Sequence, residues 1–347
     1  MMQRIPMHST ARSSAVGDGP IVSVRDLTVN FDTVEGRIHT IDNVSFDILP
    51  RRTLGIVGES GCGKSVTARA IMRIEDTRIC SLDGSILLYH GSEATDLIQL
   101  DAQSARLRAV RGREIGLIFQ EPMTSFSPVH TIGNQICEAV RLHFSVTREE
   151  ASQRAIEQLR SVGMPHPEYI MEQYAWELSG GLRQRAMIAM ALVCGPRLLI
   201  ADEPTTALDV TTQAQVLRLL ADLQDRNDMA LMLITHDLGV VAESADDVVI
   251  MYLGSIVERG PVASIFENPG HPYTQLLLES LPSISRRRSG PLKTIHGTVP
   301  RAQDRPRGCP FHTRCPSAIE GVCDQLVPTE TRIAADHIVS CHLHEAS

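Results

Sequence analysis

The sequence predicts an α/β protein built on a parallel sheet flanked by helices. Three observations predict it. A strand of buried type, Thr53–Val57, leads into a glycine loop and then a helical pattern over 64–73. From Ser179 onward helix and strand alternate, with strands at 198–201 and 230–235. The stretch 21–57 instead alternates β-branched or apolar positions with polar ones around a Glu35-Gly36 turn. Strand–helix alternation folds into a parallel sheet with covering helices, whereas period-two alternation across a turn folds into antiparallel strands.

Taken in order, residues 1–19 mix Arg, Ser, Gly and Asp without an apolar core, so they read as a disordered leader rather than a secretory signal. Antiparallel strands follow, and the strand after them feeds the glycine loop. A strand at 115–119 ends at Gln120. The stretch 121–177 is mostly helical, with an amphipathic helix at 148–162, and it separates two strand-rich parts as a helical insertion would. Strands at 248–251 and 255–258 come last. Beyond Pro261 proline, glycine, arginine and cysteine rise and periodicity weakens, which places a domain boundary there and leaves 261–347 as a smaller unit.

The 347 residues suffice for one large domain and a small one. Lys and Arg number 33 against 41 Asp and Glu, a net charge of −8 that argues against a general nucleic-acid or anionic-membrane binder. The run Arg286-Arg287-Arg288 is the local exception and reads as a solvated loop. No segment approaches the roughly 20 apolar residues of a spanning helix, so the chain is expected in the cytoplasm with any membrane role supplied by a partner. Cys62, Cys80, Cys137 and Cys194 are scattered, while Cys309, Cys315, Cys323 and Cys341 crowd near the C-terminus. In a reducing compartment that crowding suggests metal or cluster ligation more than disulfides.

Gly58-Glu59-Ser60-Gly61-Cys62-Gly63-Lys64-Ser65 fits G-x-x-x-x-G-K-[ST] between a strand and a helix, and Val66 continues the nucleotide-contacting run. Its glycines let backbone N–H groups curl around phosphate oxygens, and the helix N-terminus adds a positive dipole end. Lys64 is expected to reach the β- and γ-phosphates and the Ser65 hydroxyl to ligate Mg²⁺. Cys62 is a variable loop position with no redox role. Asp202 and Glu203 end an apolar strand, where carboxylates face the phosphates: Asp202 would hold Mg²⁺ and Glu203 would orient or deprotonate the attacking water. A second glycine turn, Leu178-Ser179-Gly180-Gly181, opens a helix just upstream of that acidic strand.

A phosphate loop, this second turn and a paired Asp-Glu, in that order, resemble the ATP-binding cassette (ABC) family throughout 21–260. The resemblance implies a P-loop nucleotide-binding domain with a RecA-like parallel sheet core, an antiparallel β subdomain and an inserted helical subdomain. It also makes Gln120 a contact to Mg²⁺ and water, and His236 the switch histidine against the γ-phosphate. Ser179, Gly180 and Gly181 would be lent to ATP on an opposite subunit, with Asp209, in Ala207-Leu208-Asp209, the polar contact across that interface. Phe31 would stack on adenine, with core packing as its competitor. The segment 119–128, the run His271-Pro272-Tyr273-Thr274 and the Cys-Pro-Phe-His-Thr-Arg-Cys-Pro run from Cys309 resemble the oligopeptide/dipeptide/nickel importer branch. Trp176, where the branch often has histidine, and Leu182, where methionine or glutamine is usual, depart from the pattern without touching a group the chemistry needs.

The spacing C-x5-C-x7-C-x17-C matches neither common zinc pairs nor a standard ferredoxin run. The resemblance favours a [4Fe-4S] cluster, with Zn²⁺ or four reduced thiols as alternatives. The expected function is ATP hydrolysis driving peptide import at the cytoplasmic face of the inner membrane. The implied partners are a second ATPase subunit (a paralogue by resemblance), two membrane-spanning permeases and an extracytoplasmic binding protein, with no nucleic acid. Nickel, glutathione or oligosaccharide import remains open, as does a soluble ABC ATPase of DNA repair or translation.

Overall fold

The structure, a computed structural model, describes residues 19–34, 36–121, 125–206, 208–280 and 295–345. Positions 1–18 of the leader, Glu35 of the expected turn, residues 122–124, Ala207 and the arginine run 286–288 lie outside them.

Two sheets form the frame. The first is antiparallel, in the order β2-β1-β4-β5, from β1 (Val22–Thr33), β2 (Gly36–Ile48), β4 (Cys80–His90) and β5 (Glu93–Asp96). The β4–β5 hairpin carries no clean alternation in sequence because Asp83-Gly84 interrupts it. Gly84 takes a φ of 94° where β1 bulges, and a Cβ there would stand 2.5 Å from the carbonyl oxygens of Arg25 and Asp26. Only glycine admits so close a backbone approach.

The second sheet has eight strands in the order β11-β12-β10-β9-β3-β8-β7-β6. Its parallel part comprises β3 (Thr53–Val57), β6 (Ile115–Ile118), β7 (Leu198–Asp202), β8 (Ala230–Thr235) and β9 (Asp247–Tyr252). Strands β3, β7 and β8 are buried along their whole length. They therefore read as continuous apolar runs, as expected of strands covered on both faces. Antiparallel β10 (Ser255–Pro261), β12 (His337–Ser340) and β11 (Glu330–Ala334) extend the edge.

Within 121–177 the helices Ile132–His143 and Arg148–Ser161 each start at a threonine cap, Thr131 and Thr147, the latter closing a reciprocal box with Glu150. Their apolar faces, through Ile136, Ala155 and Leu159, join Met187 and Ile188 of the helix Gly180–Leu192 and Leu199 of β7 in one core. The region after Pro261 packs onto the other end of the sheet. Tyr252 of β9, Tyr273 and Phe311 are fully buried and meet edge to face or tilted, with ring centroids 4.9–5.2 Å apart. They share one core with Val57 and Ile250, so the C-terminal residues bury apolar surface against the sheet that carries the phosphate loop.

Candidate active site

The parallel strands end at a common edge, and the chemistry-bearing residues follow directly on those ends. Gly58 to Lys64 turn from β3 into the helix Lys64–Met72, with Gly61 and Gly63 at φ of 80° and 99°. At Gly58 a Cβ would stand 2.2 Å from the Met251 carbonyl oxygen and 2.6 Å from Cys62 Sγ, so the loop lies flat against β9. Cys62 is buried beneath it, and burial pushes its thiol up from the ordinary range. Buried Lys64 folds back over the loop, its Nζ donating to the carbonyls of Gly58 (2.8 Å) and Glu59 (3.1 Å). Ser60 and Gly61 remain exposed and Val66 packs against the core.

Ser65 Oγ donates to Asp202 Oδ1 at 2.9 Å. Burial raises the Asp202 carboxyl above the usual carboxylate range, the Ser65 hydrogen bond opposes this, and the neighbouring Glu203 charge adds to it. A carboxylate desolvated beside another negative charge gains from a cation. Glu203 turns away from Asp202 through a left-handed backbone, φ 46°, held by its N–H to the Ile234 carbonyl at 2.9 Å. That turn aims its carboxylate at the ends of neighbouring strands. Gln120 Nε2 and Thr206 Oγ1 both donate to Glu203 Oε2 at 3.0 Å, and His236 Nδ1 stands 3.6 Å from Oε1. Gln120 and His236 are exposed, whereas the Glu203 side chain is only 13% accessible. The arrangement offers a carboxylate gripped on one oxygen and open on the other side to an imidazole, which suits holding and deprotonating a water.

Lys64, Ser65, Gln120, Asp202, Glu203 and His236 thus converge. Ser179, Gly180 and Gly181 do not join them. Ser179 caps the helix Gly180–Leu192, accepting from the Leu182 N–H at 3.4 Å, and with Gly180 it is exposed. Asp209 caps the helix Val210–Asn227, accepting from Thr212 N–H (3.0 Å) and Oγ1 (2.7 Å), which holds its carboxyl below the usual range. The two helix starts adjoin, because a Cβ on Gly181 would stand 3.2 Å from Thr212 Cγ2. On that exposed face the N-terminus of Gly180–Leu192 carries no carboxylate and is suited to an anion presented from outside the chain, with Asp209 beside it as a polar group. Phe31 sits half-buried on β1 against the core, paired with Ile38 and Cys80.

A model of the ABC transporter family matches residues 41–206, and one of the oligopeptide/dipeptide transporter C-terminal region matches 257–323. The "Probable peptide ABC transporter ATP-binding protein y4tR" of Sinorhizobium fredii is 48% identical over 92% of this chain and 94% of its own. The chain belongs to the ABC transporter ATP-binding family. The dipeptide transport ATP-binding protein DppD of Haemophilus influenzae is 44% identical over 93% of this chain and 95% of its own. A solved ABC cassette, MJ0796 in a post-hydrolysis state bound to ADP and Pi, aligns with a TM-score of 0.60 at 25% identity over 70% of this chain and 98% of that one. This ABC subunit is an ATPase, and its described residues include no helix long and apolar enough to cross a membrane.

Thr206 is a site residue that no motif marks, although its i+3 spacing from Glu203 is a local signal. Tyr273 and Arg314 stand in the sequence only as members of the C-terminal runs, yet both reach the phosphate loop from far along the chain. Arg314 donates from Nη1 to Glu59 Oε2 at 2.7 Å and from Nη2 to Oε1 at 3.2 Å, and the Tyr273 hydroxyl accepts the Glu59 N–H at 3.1 Å. Nothing local announces either contact.

Of the four C-terminal cysteines, Cys309, Cys323 and Cys341 are buried and Cys315 is half-buried, all as free thiols. Burial, backed by the neighbouring thiols, pushes Cys309 up to about 11. Among the described residues no three Cys, His, Asp or Glu side chains are grouped so as to hold a metal ion. The thiols are close enough to influence one another but do not form a ligand set as they stand.

Proposed function

We propose that this ABC ATPase powers peptide import across the cytoplasmic membrane, attached peripherally to its inner face. The observation that carries the reading is that the chain is similar to peptide-transport ATP-binding proteins along nearly its whole length, C-terminal region included. Lys64 and the loop amides would take the phosphates, and Ser65, Asp202 and Gln120 would hold Mg²⁺, which would supply positive charge to screen the phosphates. Glu203, oriented by Gln120 and Thr206 and faced by His236, would take the proton of the attacking water. The helices within 121–177, with Trp176 exposed and stacked on Tyr174, would receive a permease. The assembly would contain a paralogous ATPase, two permeases and an extracytoplasmic binding protein. Tagged chain drawn from detergent-solubilised membranes should bring polytopic proteins with it, and ATPase activity of the purified assembly should rise with peptide-loaded binding protein. Recovery without membrane proteins would favour a soluble ABC ATPase instead.

In that assembly Ser179, Gly180 and Gly181 would serve ATP held by the other ATPase subunit. Ser179→Arg should cut turnover of the complex by at least about tenfold, since a bulky side chain blocks the helix N-terminus that meets phosphate. ATP binding by the isolated chain should stay within about twofold, because this face lies outside the chain's own phosphate loop. Unchanged turnover would sink the shared-site reading.

The [4Fe-4S] expectation rests on resemblance and on the four neighbouring cysteines. Ligation would require their side chains to draw together, and it would lower the pKa values that burial now raises at Cys309, Cys315 and Cys341. Iron and acid-labile sulfide in anaerobically purified protein test it, and absence of both leaves Zn²⁺ or four reduced thiols in a small core.

A further inference from the structure

Glu59 is the second residue of the phosphate loop, and three of its groups are occupied. Its carbonyl accepts from the Lys64 ammonium, its N–H donates to the Tyr273 hydroxyl, and its carboxylate accepts from the two terminal guanidinium nitrogens of Arg314. Two of these tethers come from beyond residue 261, more than 200 positions along the chain in each case. The Arg314 side chain is 5% exposed. Its other contacts hold it rigidly: the Tyr252 hydroxyl at 3.3 Å, the carbonyls of His296 and Gly297 at 3.0 and 3.3 Å, and the Tyr252 ring beneath the guanidinium. Arg314 ends the short turn His312–Arg314, anchored by Phe311 in the aromatic core.

We propose that Arg314, assisted by Tyr273, is a positioning residue for nucleotide binding, acting through Glu59 to hold the phosphate loop in its open curl. A glycine-rich loop free of tethers must be ordered by the nucleotide itself, and that ordering weakens binding. A bidentate Arg–carboxylate pair on a rigid base fixes both position and direction of the residue it grips. Because the Glu59 carbonyl also receives Lys64, displacement of Glu59 shifts the lysine that meets the phosphates. The C-terminal region would thereby contribute to the ATP site of its own subunit without touching ATP.

The test is equilibrium binding of an N-methylanthraniloyl ATP analogue with Mg²⁺ to the full-length chain, alongside thermal unfolding. Arg314→Met and Glu59→Gln should each weaken binding about fivefold to tenfold, the low end of coupling between interacting sites. The double variant should be no weaker than the worse single one, because both remove one pair. Arg314→Lys should recover part of the affinity, and Tyr273→Phe should lose about twofold to threefold through one unpaired N–H. Glu59→Gln alters only a half-buried carboxylate and keeps the test decisive if Arg314→Met does not fold. Affinity within twofold of the parent in Glu59→Gln, or losses in the two single variants that multiply in the double, would overturn the proposal, as would variants that lower only the unfolding temperature.

Discussion

Replacing Glu203 with glutamine is expected to stop turnover while leaving ATP binding intact. The amide matches the carboxylate in volume, and its carbonyl oxygen can keep the hydrogen bonds that Gln120 and Thr206 now give to Oε2. The left-handed turn at Glu203 depends on the backbone bond to Ile234, which the substitution does not touch. What disappears is the negative charge and the capacity to take a proton from water. Removal of a general base typically costs about 10²–10⁴-fold in rate, so phosphate release by the assembled complex should fall by that much. Binding of ATP, governed by the phosphate loop, should stay within about twofold. Turnover at the parent rate would remove Glu203 from the water-activating role and leave His236, 3.6 Å from it, as the next group to test.

Glu258→Ala should be the most damaging single change to stability. Glu258 lies on β10 with no solvent exposure, and it accepts from three directions. Gly270 N–H meets Oε1 at 2.7 Å, His271 N–H meets Oε2 at 3.0 Å, and His337 Nε2 lies 2.7 Å from Oε1. One carboxylate therefore ties β10 to β12 and to the start of the helix Pro272–Glu279. Alanine leaves these donors buried without acceptors and opens a cavity, at a cost of about 3–5 kcal/mol. Denaturant unfolding of the full chain should show a lower midpoint, with the C-terminal residues losing amide-exchange protection first. A variant as stable as the parent would show that the three donors find other partners.

Much of this protein is legible along the chain because the signals are local. The loop Gly58–Ser65 needs two glycines at positive φ, a lysine and a hydroxyl at set positions, and all of these appear in eight consecutive residues. Strands β3, β7 and β8 announce themselves as apolar runs because they are covered on both faces. The caps at Thr147, Ser179 and Asp209 stand at the starts of their helices for the same reason, since a cap bonds only two or three residues ahead.

Other features left no such mark. Strands β11 and β12 are short, and β11 is polar and partly exposed, so neither reads as a strand. They form because β10 presents an edge and Glu258 recruits His337, 79 positions away. The hairpin β4–β5 is hidden by Gly84, which is required by the bulge in a different strand.

The residues of the ATP site are readable along the chain, because a phosphate loop and strand-end carboxylates are made by sequence neighbours. That residues after Pro261 join the main sheet, and that Arg314 and Tyr273 grip the phosphate loop, emerges from long-range packing alone. Those contacts link residues more than 200 positions apart. No periodicity records such distances; they are set by burial of Tyr252, Tyr273 and Phe311 in a shared core, which brings a remote guanidinium within hydrogen-bonding reach of Glu59.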